Sequence, residues 1–443
     1  MPTLTNLDAA HLLRRTGFGG TAAEIGSFTG LERSVAVDRV MDLSTAPPVV
    51  RPAVDNRSTQ WECFVAASEW WVSRMVTTPK PLQEKLTLFW HGHFASSQTK
   101  VNDMTAMFNQ NQLFRSKCLG NFGELAQAAA IDSAMLVYLD NDTNKAGAEQ
   151  ENFARELMEL FTMGVGAFTE ADVIAMAKAW TGYNTVGWNG TFNDSTFRYF
   201  ANKHDNSVKT LFGVAADWTG PQAIDAIVNG VKRPVCAAFI AKKMFSFFAH
   251  TTPSEALVQE LANAFIASNM SIAALVRAVL MHDDFWAAST RYALVKSPTE
   301  FVVDVLRRTG IAVSVAGVAW NMGPMGQNLF NPPSVAGWGQ NGYWLSTATV
   351  WARSNWLEGM RWKLKDVPKW ASLLTMAPAA GVQQILDDLG IFEPSAPTRA
   401  QLEAWFTQAK DGYRENNVST FDGWSIQPNA LVMGALTPEF LAA

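Results

Sequence analysis

Apolar residues recur with the spacing of an α-helix along most of the chain. Pro81 suits the first turn of a helix, and the apolar residues that follow it on one face are Leu82, Leu86 and Phe89. Similar patterns cover roughly 233–249, 253–267, 270–281, 297–308 and 349–363. These patterns predict a mainly α-helical fold, a large globular domain built from many helices.

One segment departs from this pattern. The chain reads VGWNGTFNDSTFRYF over 186–200, and Asn189-Gly190 is a hairpin turn signal between two aromatic-rich runs. The segment therefore predicts a small β-hairpin near 186–200.

Proline-rich and glycine-rich stretches indicate where the chain divides. The Pro-rich stretch 44–56 separates a predicted N-terminal helical arm, 1–56, from a main helical domain, 57–357. The remainder, 358–443, is expected to be an extension of helices and loops packed on the main domain. A loop as long as 321–346 in a compact domain is typically either functional or disordered. Its Trp338, Tyr343 and Trp344 favour an ordered loop.

Composition and charge exclude several classes of protein. Of 443 residues 48% are apolar and 17% charged, which is not the composition of a disordered chain. The formal charge is −5 and there is no basic stripe, so nucleic acid is not an expected partner. Cys63, Cys118 and Cys236 are widely separated, which excludes a disulfide scaffold and a thiolate zinc site.

The longest apolar runs are interrupted by charge, as Arg277 interrupts 272–281, so no membrane-spanning segment is predicted. The start shows no signal peptide, because Arg14 and Arg15 are followed by no apolar stretch. The protein is therefore expected to be cytoplasmic unless a leader was removed.

A polar stripe crosses one predicted helix. Asn152, Glu156 and Glu159 are spaced at i, i+4 and i+7, and the residues around them are apolar. Such a stripe is often only a solvated face. On a largely buried helix, however, the carboxylates need a metal, an arginine or a hydrogen-bond network.

Two histidines lie in the aromatic-rich segment LTLFWHGHF. On a continuous helix His93 shares the face of Leu82, whereas His91 points nearly opposite, so both reach one metal ion only if the helix ends near Gly92. The alternative is that both are core residues bonded to the backbone.

The loop 140–151 has nearly the ligand spacing of a calcium-binding loop. Asp140, Asp142 and Asn144 alternate and Glu151 stands at the twelfth position, but Lys145 replaces the expected glycine. A calcium or magnesium site that uses some of these oxygens is one interpretation, and a turn without metal is the other.

Three further side chains are candidates for catalysis. His204 and Asp205 follow the predicted hairpin, where the carboxylate can orient the imidazole as a base. Arg155 lies beside the polar stripe and is suited to pair with an anionic substrate or with a carboxylate of the stripe. No GxSxG elbow, phosphate-binding loop, dinucleotide fingerprint or HExxH helix is present.

The chain resembles the bacterial family called domain of unknown function 1800, over about residues 8–357. The segments that carry the resemblance are LLRRTGFGG at 12–20, LTLFWHGHFASS at 86–97, GNFGELAQAAAIDSAMLVYLDN at 120–141, ENFARELMELFTMGVGAFTEADV at 151–173, AWTGY at 179–183, HD at 204–205, FIAKKMFSFF at 239–248, VKSP at 295–298 and PPSVAGWGQNGYWLSTATVWARSNW at 332–356. The resemblance implies frequent export and a partner protein of the unknown-function family 1501, which itself resembles sulfatase-like metal hydrolases. The chain departs from the family in lacking a leader and in carrying Gln150 where relatives often have asparagine.

Together these features favour a divalent-metal-dependent enzyme of unknown substrate, and a hydrolase rather than a redox enzyme. In this hypothesis Glu156 and Glu159 hold the cation with His91 or His93, and His204 or Asp205 acts as base toward a bound water. Stacking platforms are expected among Trp180, Trp188, Trp338 and Trp344. The alternatives are a non-catalytic binding or assembly protein with a structural polar cluster, and haem ligation by one histidine near 89–94.

Overall fold

The computed structural model describes residues 2–52, 59–187, 195–364, 367–416 and 422–443. The structure is 64% helical, which confirms the mainly α-helical prediction. The helices are α1 (Asn6–Thr16), α2 (Ala22–Phe28), α3 (Arg33–Met41), α4 (Gln60–Thr77), α5 (Pro81–His93), α6 (Gln98–Val101), α7 (Met104–Lys117), α8 (Phe122–Ala130), α9 (Ser133–Tyr138), α10 (Asn152–Glu156), α11 (Glu170–Ala179), α12 (Gly220–Val228), α13 (Arg233–Phe248), α14 (Glu255–Ala267), α15 (Ile272–Met281), α16 (Asp283–Trp286), α17 (Pro298–Thr309), α18 (Val313–Ala316), α19 (Val318–Asn321), α20 (Thr347–Gly359), α21 (Arg361–Leu364), α22 (Pro378–Asp388), α23 (Ala396–Asn416), α24 (Asp422–Ala435) and α25 (Pro438–Leu441). A π-helix, Leu157–Met163, continues α10 directly.

Two small antiparallel hairpins interrupt the helices. Strand β1 (Tyr183–Val186) pairs with β2 (Thr196–Tyr199), with Tyr183 opposite Tyr199. This pairing confirms the predicted hairpin, although Trp188 and the turn residues Asn189 and Gly190 lie outside the described residues. The second hairpin, β3 (Lys209–Leu211) with β4 (Val214–Ala216), was not predicted, because its strands are only three residues long.

Two hydrophobic cores lie on either side of α5. The first core includes residues of α1, α3, α8 and α11–α15, and it takes Leu82, Leu86 and Phe89 from α5. The second core contains residues of α4, α17, α20, α22 and α24, together with Leu88 of α5. Helix α5 is therefore buried on both sides.

The division of the chain into 1–56, 57–357 and 358–443 stays a prediction.

Buried charges on α5 are paired with neighbouring helices. Glu84 is fully buried and accepts hydrogen bonds from Arg74 on α4 at 2.7 Å, from Arg115 on α7 at 2.8 Å and from Trp71 at 2.9 Å. Burial alone would raise the pKa of Glu84, but Arg115 and Arg74 outweigh burial and lower it. This ion cluster holds α4, α5 and α7 together.

No helix among the described ranges has the length and hydrophobicity needed to cross a membrane.

We expect Glu84→Gln to lower the free energy of unfolding by about 3–5 kcal/mol, because two buried guanidinium groups would lose their counter-charge. Urea denaturation measures this loss. The control Glu358→Gln removes an exposed partner of Arg361 and should cost less than about 1 kcal/mol. Equal losses for the two variants would contradict the role given to the buried cluster.

Candidate functional site

A cavity of about 620 Å³ lies beside α5 and α13, at the start of α17 and under the loop 336–344. Its aromatic lining residues are Phe89, Phe239, Phe247, Trp338 and Trp344. Its cationic lining residues are Arg15, Lys85, Lys242 and Lys243, whereas Glu300 is the one carboxylate side chain among the described residues that line it. The cavity thus combines an aromatic wall with an excess of positive charge.

Arg15 reaches the cavity from the last turn of α1. Helix α1 begins at a capping box of Thr5 and Asp8 and stops at Gly17, where a Cβ would lie only 3.0 Å from Pro81 at the start of α5. The Arg15 Nη2 donates to the carbonyl of Thr290, while its Nε and Nη1 have no hydrogen-bond partner among the described residues. Burial, with the nearby Arg14, lowers the pKa of Arg15 to about 9. The guanidinium is therefore buried without a full set of acceptors.

Lys85 and Glu300 form an ion pair in the cavity wall. Glu300 is positioned by the capping box at the start of α17, where its carboxylate accepts from the backbone N–H of Ser297 at 2.7 Å. Burial by itself would raise the pKa of Glu300, but the Lys85 ammonium outweighs burial and lowers it. The single carboxylate is thus already used by one of the four cations.

Lys243 and His93 meet at the end of the π-helix. The carbonyl of Leu160 accepts from Lys243 Nζ at 3.0 Å, and the carbonyl of Phe161 accepts from His93 Nε2 at 2.9 Å. His93 Nδ1 therefore carries no proton and accepts from Lys243 Nζ at 3.3 Å. Burial lowers the pKa of Lys243 to about 8, and burial together with Lys243 lowers the pKa of His93. The π-helix contributes backbone carbonyls to this wall, as π-helices often do at functional sites.

The loop over the cavity rests directly on α5. Gly337 has φ +80°, and a Cβ there would lie 2.1 Å from the carbonyl oxygen of Gly92. His91 Nε2 accepts from the backbone N–H of Phe330 at 3.1 Å, and its ring centroid lies 5.3 Å from that of Trp338. Burial lowers the pKa of His91 to about 3. His91 thus holds the residues before the loop against the helix as a neutral side chain.

The two histidines lie in different surroundings, because α5 continues through Gly92 to His93. His91 contacts Trp71 and Phe330, whereas His93 contacts Phe161 and Phe239. Each is bonded to the backbone, as in the alternative interpretation from sequence. Across the described ranges no group of three His, Cys, Asp or Glu side chains is arranged to hold a metal ion.

The predicted ligands of the loop 140–151 have protein partners. Asp140 forms an ion pair with Lys100 at 2.8 Å and accepts from Asn152 Nδ2 at 3.2 Å. The side-chain oxygen of Asn144 accepts from the N–H of Gln150 at 3.0 Å. Burial, followed by the neighbouring Asp140, raises the pKa of Asp142. The structure therefore brings Asp140 and Asp142 near each other but gives Asp140 a cationic partner.

Arg155 lies near enough to the polar stripe to lower the pKa of Glu156, but its ion pairs are with other carboxylates. Arg155 pairs with Glu170 at 2.5 Å and Glu151 at 3.4 Å on the surface. Burial, followed by Glu159, raises the pKa of Glu156, so the two carboxylates of the stripe do influence each other. None of these side chains lines the cavity.

His204 and Asp205 lie beside the first hairpin. His204 Nδ1 donates to the carbonyl of Thr181 at 2.9 Å, and its Nε2 has no partner among the described residues. Asp205 instead accepts from the backbone N–H of Ser207 at 2.7 Å. The structure thus places this pair away from the lining of the cavity.

Sequence reasoning missed the cations of the cavity and found part of its aromatic wall. Trp338 and Trp344, expected as stacking platforms, do line it. The missed signal was basic residues inside an apolar helical run, Lys242 and Lys243 in FIAKKMFSFF. A second sign was Arg15 directly after the apolar pair Leu12 and Leu13 and Arg14.

The model of a family described as "Protein of unknown function (DUF1800)" matches residues 11–442. No curated protein and no solved structure matches the chain. Five segments that carry the resemblance, at 12–20, 86–97, 239–248, 295–298 and 332–356, all contribute residues to the cavity lining.

The hydrogen bonds of the two helix-α5 histidines predict their tautomers. His93 should carry its proton on Nε2 and His91 on Nδ1, and neither should titrate between about pH 5 and 8. Stability should fall as the pH drops below 6.5, because the unfolded histidines then bind protons that the folded ones do not. Nitrogen-15 NMR of the imidazoles checks both points, and a titration of either ring near pH 6.5 would contradict them.

Proposed function

Because the chain belongs to the family of proteins of unknown function DUF1800, a description that states no activity, we propose a function from the cavity itself. The protein binds an anionic small molecule that has an apolar or aromatic body. The observation that carries this proposal is the buried Arg15 guanidinium, whose Nε and Nη1 have no acceptor within the described part of the chain. Among the lining residues that the structure describes there are four cations and one carboxylate side chain.

The charge balance of the cavity favours an anion. A buried charge without a partner is costly, and Glu300 already neutralises Lys85. A carboxylate or phosphate group can accept two parallel hydrogen bonds from a guanidinium, which suits Arg15. Binding of such a group would supply the missing counter-charge.

The rest of the cavity favours an apolar body. Phe89, Phe239 and Phe247 form one part of the wall, and Trp338 and Trp344 contribute from the loop. The volume of about 620 Å³ lies within the range of small-molecule sites, ~300–1,000 Å³. A ligand with a ring next to its acid group fits this combination.

A thermal-shift panel tests the proposal. Aromatic carboxylates and phosphate esters should raise the melting temperature, and their neutral amide or alcohol analogues should not, since only the anions supply the counter-charge. Arg15→Gln should weaken binding of the anions at least about tenfold, roughly 1.4 kcal/mol.

The control for this panel is Arg155→Gln, which removes a surface guanidinium outside the cavity and should leave anion binding unchanged. Folding of each variant is verified by circular dichroism. Equal stabilisation by anions and neutral analogues, or full binding by a folded Arg15→Gln protein, would reject the proposal.

The metal-dependent hydrolase is the second candidate, and the observation that favours it is the pair Glu156 and Glu159. Burial and Glu159 both raise the pKa of Glu156, and a divalent cation between the two carboxylates would relieve their repulsion. Calcium or magnesium at 140–151, the base role of His204 or Asp205 and a partner of the 1501 family belong to this same hypothesis.

Elemental analysis tests the second candidate. The native protein should then contain a stoichiometric divalent metal, and Glu156→Gln should lose it, because one carboxylate ligand is removed. Glu358→Gln serves as the control at an exposed carboxylate. If the protein binds no metal after supplementation, this candidate fails, while anion binding in the cavity is unaffected.

A further inference from the structure

We propose that the anionic group bound in this cavity is a phosphate monoester with two negative charges, held by Arg15 and Lys85 beside Glu300. The inference rests on the proposed function, and it narrows the ligands of the cavity from anions in general to aromatic phosphate monoesters. Its measurable consequence is a preference for dianions over monoanions.

Arg15, Lys85 and Glu300 form one cluster in the cavity wall. Lys85 and Glu300 are an ion pair. Lys85 Nζ also lies 5.6 Å from the ring centroid of Phe18, which follows Arg15 by three positions. Burial lowers the pKa of Lys85 and the Arg15 charge lowers it further, whereas Glu300 raises it. Burial and Arg14 lower the pKa of Arg15, and Glu300 opposes them. Each member of the cluster thus lies within electrostatic reach of the others.

One carboxylate has to serve three cations here. Besides the two cations of the cluster, Glu300 acts on Arg353, because burial lowers the pKa of Arg353 to about 10 and Glu300 opposes this. Asp304 also raises the pKa of the cluster lysine, but it already accepts from Lys296 at 2.7 Å and from Arg308 at 2.6 Å. Three cations around one carboxylate leave two positive charges without a counter-charge among the described residues.

A phosphate monoester matches this imbalance. It carries a charge of about −1.5 to −2 near pH 7 and has three acceptor oxygens, whereas a carboxylate or a phosphate diester carries a single charge. Arg15 Nε and Nη1 have no acceptor within the described ranges, so donors are available to more than one oxygen. A monoanion would leave one of the two positive charges buried without compensation, which is costly.

Aromatic rings adjoin the cluster. Lys85 Nζ lies 5.4 Å from the ring centroid of Phe247, and the Phe247 and Phe89 centroids are 4.9 Å apart in the cavity wall. A ring attached to the phosphate oxygen is therefore suited to pack against this wall. Phenyl phosphate has both features. Methyl phenyl phosphate is its matched control, because it keeps the ring and the phosphorus but carries one charge.

Isothermal titration calorimetry on the full chain tests the charge preference. At pH 7 phenyl phosphate should bind at least about tenfold tighter than methyl phenyl phosphate or benzoate, because only the monoester supplies two charges. Lowering the pH from 7 to 5 should weaken the binding of phenyl phosphate about tenfold, since its second proton binds with a pKa near 6. The diester should show no such loss.

The diester also controls for titration of the protein. Besides the cations and carboxylates of the cluster and its surroundings, the titratable side chains near the proposed phosphate are Lys242, Lys243, His11, His93 and His250. Burial lowers the pKa of Arg15 to about 9 and that of Lys243 to about 8, so both stay largely protonated between pH 5 and 7. Burial also lowers the pKa of the three histidines, which favours their neutral forms. Titration of these groups changes the binding of both esters, whereas the second phosphate proton belongs to the monoester alone.

Glu300→Gln tests the position of the site. Glutamine at this position can keep the capping box with Ser297, but the substitution removes the counter-charge of Lys85. Phenyl phosphate should therefore bind the variant at least about tenfold tighter than it binds the native protein. The control Glu358→Gln removes an exposed carboxylate that does not line the cavity, and it should leave the affinity unchanged.

The outcomes separate the two proposals. If benzoate and the diester bind as tightly as phenyl phosphate, the dianion preference is wrong and anion binding stands. If no anion binds, both proposals fail. An affinity for phenyl phosphate that is the same at pH 5 and pH 7 would overturn the inference, and so would weaker binding by a folded Glu300→Gln protein. The comparison of the two esters on the native protein decides the question even if the variant fails to fold.

Discussion

The structure depends on one constraint: helix α5 is buried between two cores, yet it carries ionisable side chains that cannot be left without partners. Glu84 is satisfied by Arg74 and Arg115, which fixes α4 and α7 against the helix. Lys85 is satisfied by Glu300 at the start of α17. The two histidines bond to backbone groups of the π-helix and of the segment before the Trp338 loop. The ion pairs and hydrogen bonds of the α5 side chains thus position the elements that surround the cavity.

The same reasoning identifies buried cations that have fewer carboxylate partners than those of α5. Asp304 accepts from both Lys296 and Arg308 at 2.7 and 2.6 Å, so one carboxylate serves two cations behind the cavity. Arg15 and Lys243 line the cavity and have no carboxylate within 4.0 Å among the described residues. Arg15 donates to a carbonyl, and Lys243 donates to a carbonyl and an imidazole and lies over the Phe239 ring, 4.7 Å from its centroid. Arg353 is also fully buried, donates to the carbonyl of Lys296 and has no partner for its Nε and Nη1 among the described residues, but it does not line the cavity. A buried charge that lines a cavity is a candidate for binding an external partner.

The helical pattern and the hairpin could be predicted from sequence because their signals are local. The spacing of Leu82, Leu86 and Phe89 identified the apolar face of α5. The partners of its polar residues could not be predicted, since Lys85 and Glu300 are 215 positions apart. Arg155 was expected to pair with a carboxylate of the polar stripe or with a substrate; it forms ion pairs with Glu170 and Glu151, and that expectation stays a prediction. Aromatic richness in one loop was enough to find Trp338 and Trp344, but not the cations opposite them.

The close approach of Gly337 to the Gly92 carbonyl also determines which kind of motion can widen the cavity on this side. Side-chain rotamers change on the picosecond-to-nanosecond timescale, whereas a loop moves as a segment, which is slower. Because neither glycine has a side chain to rotate, widening the cavity at this contact requires main-chain motion.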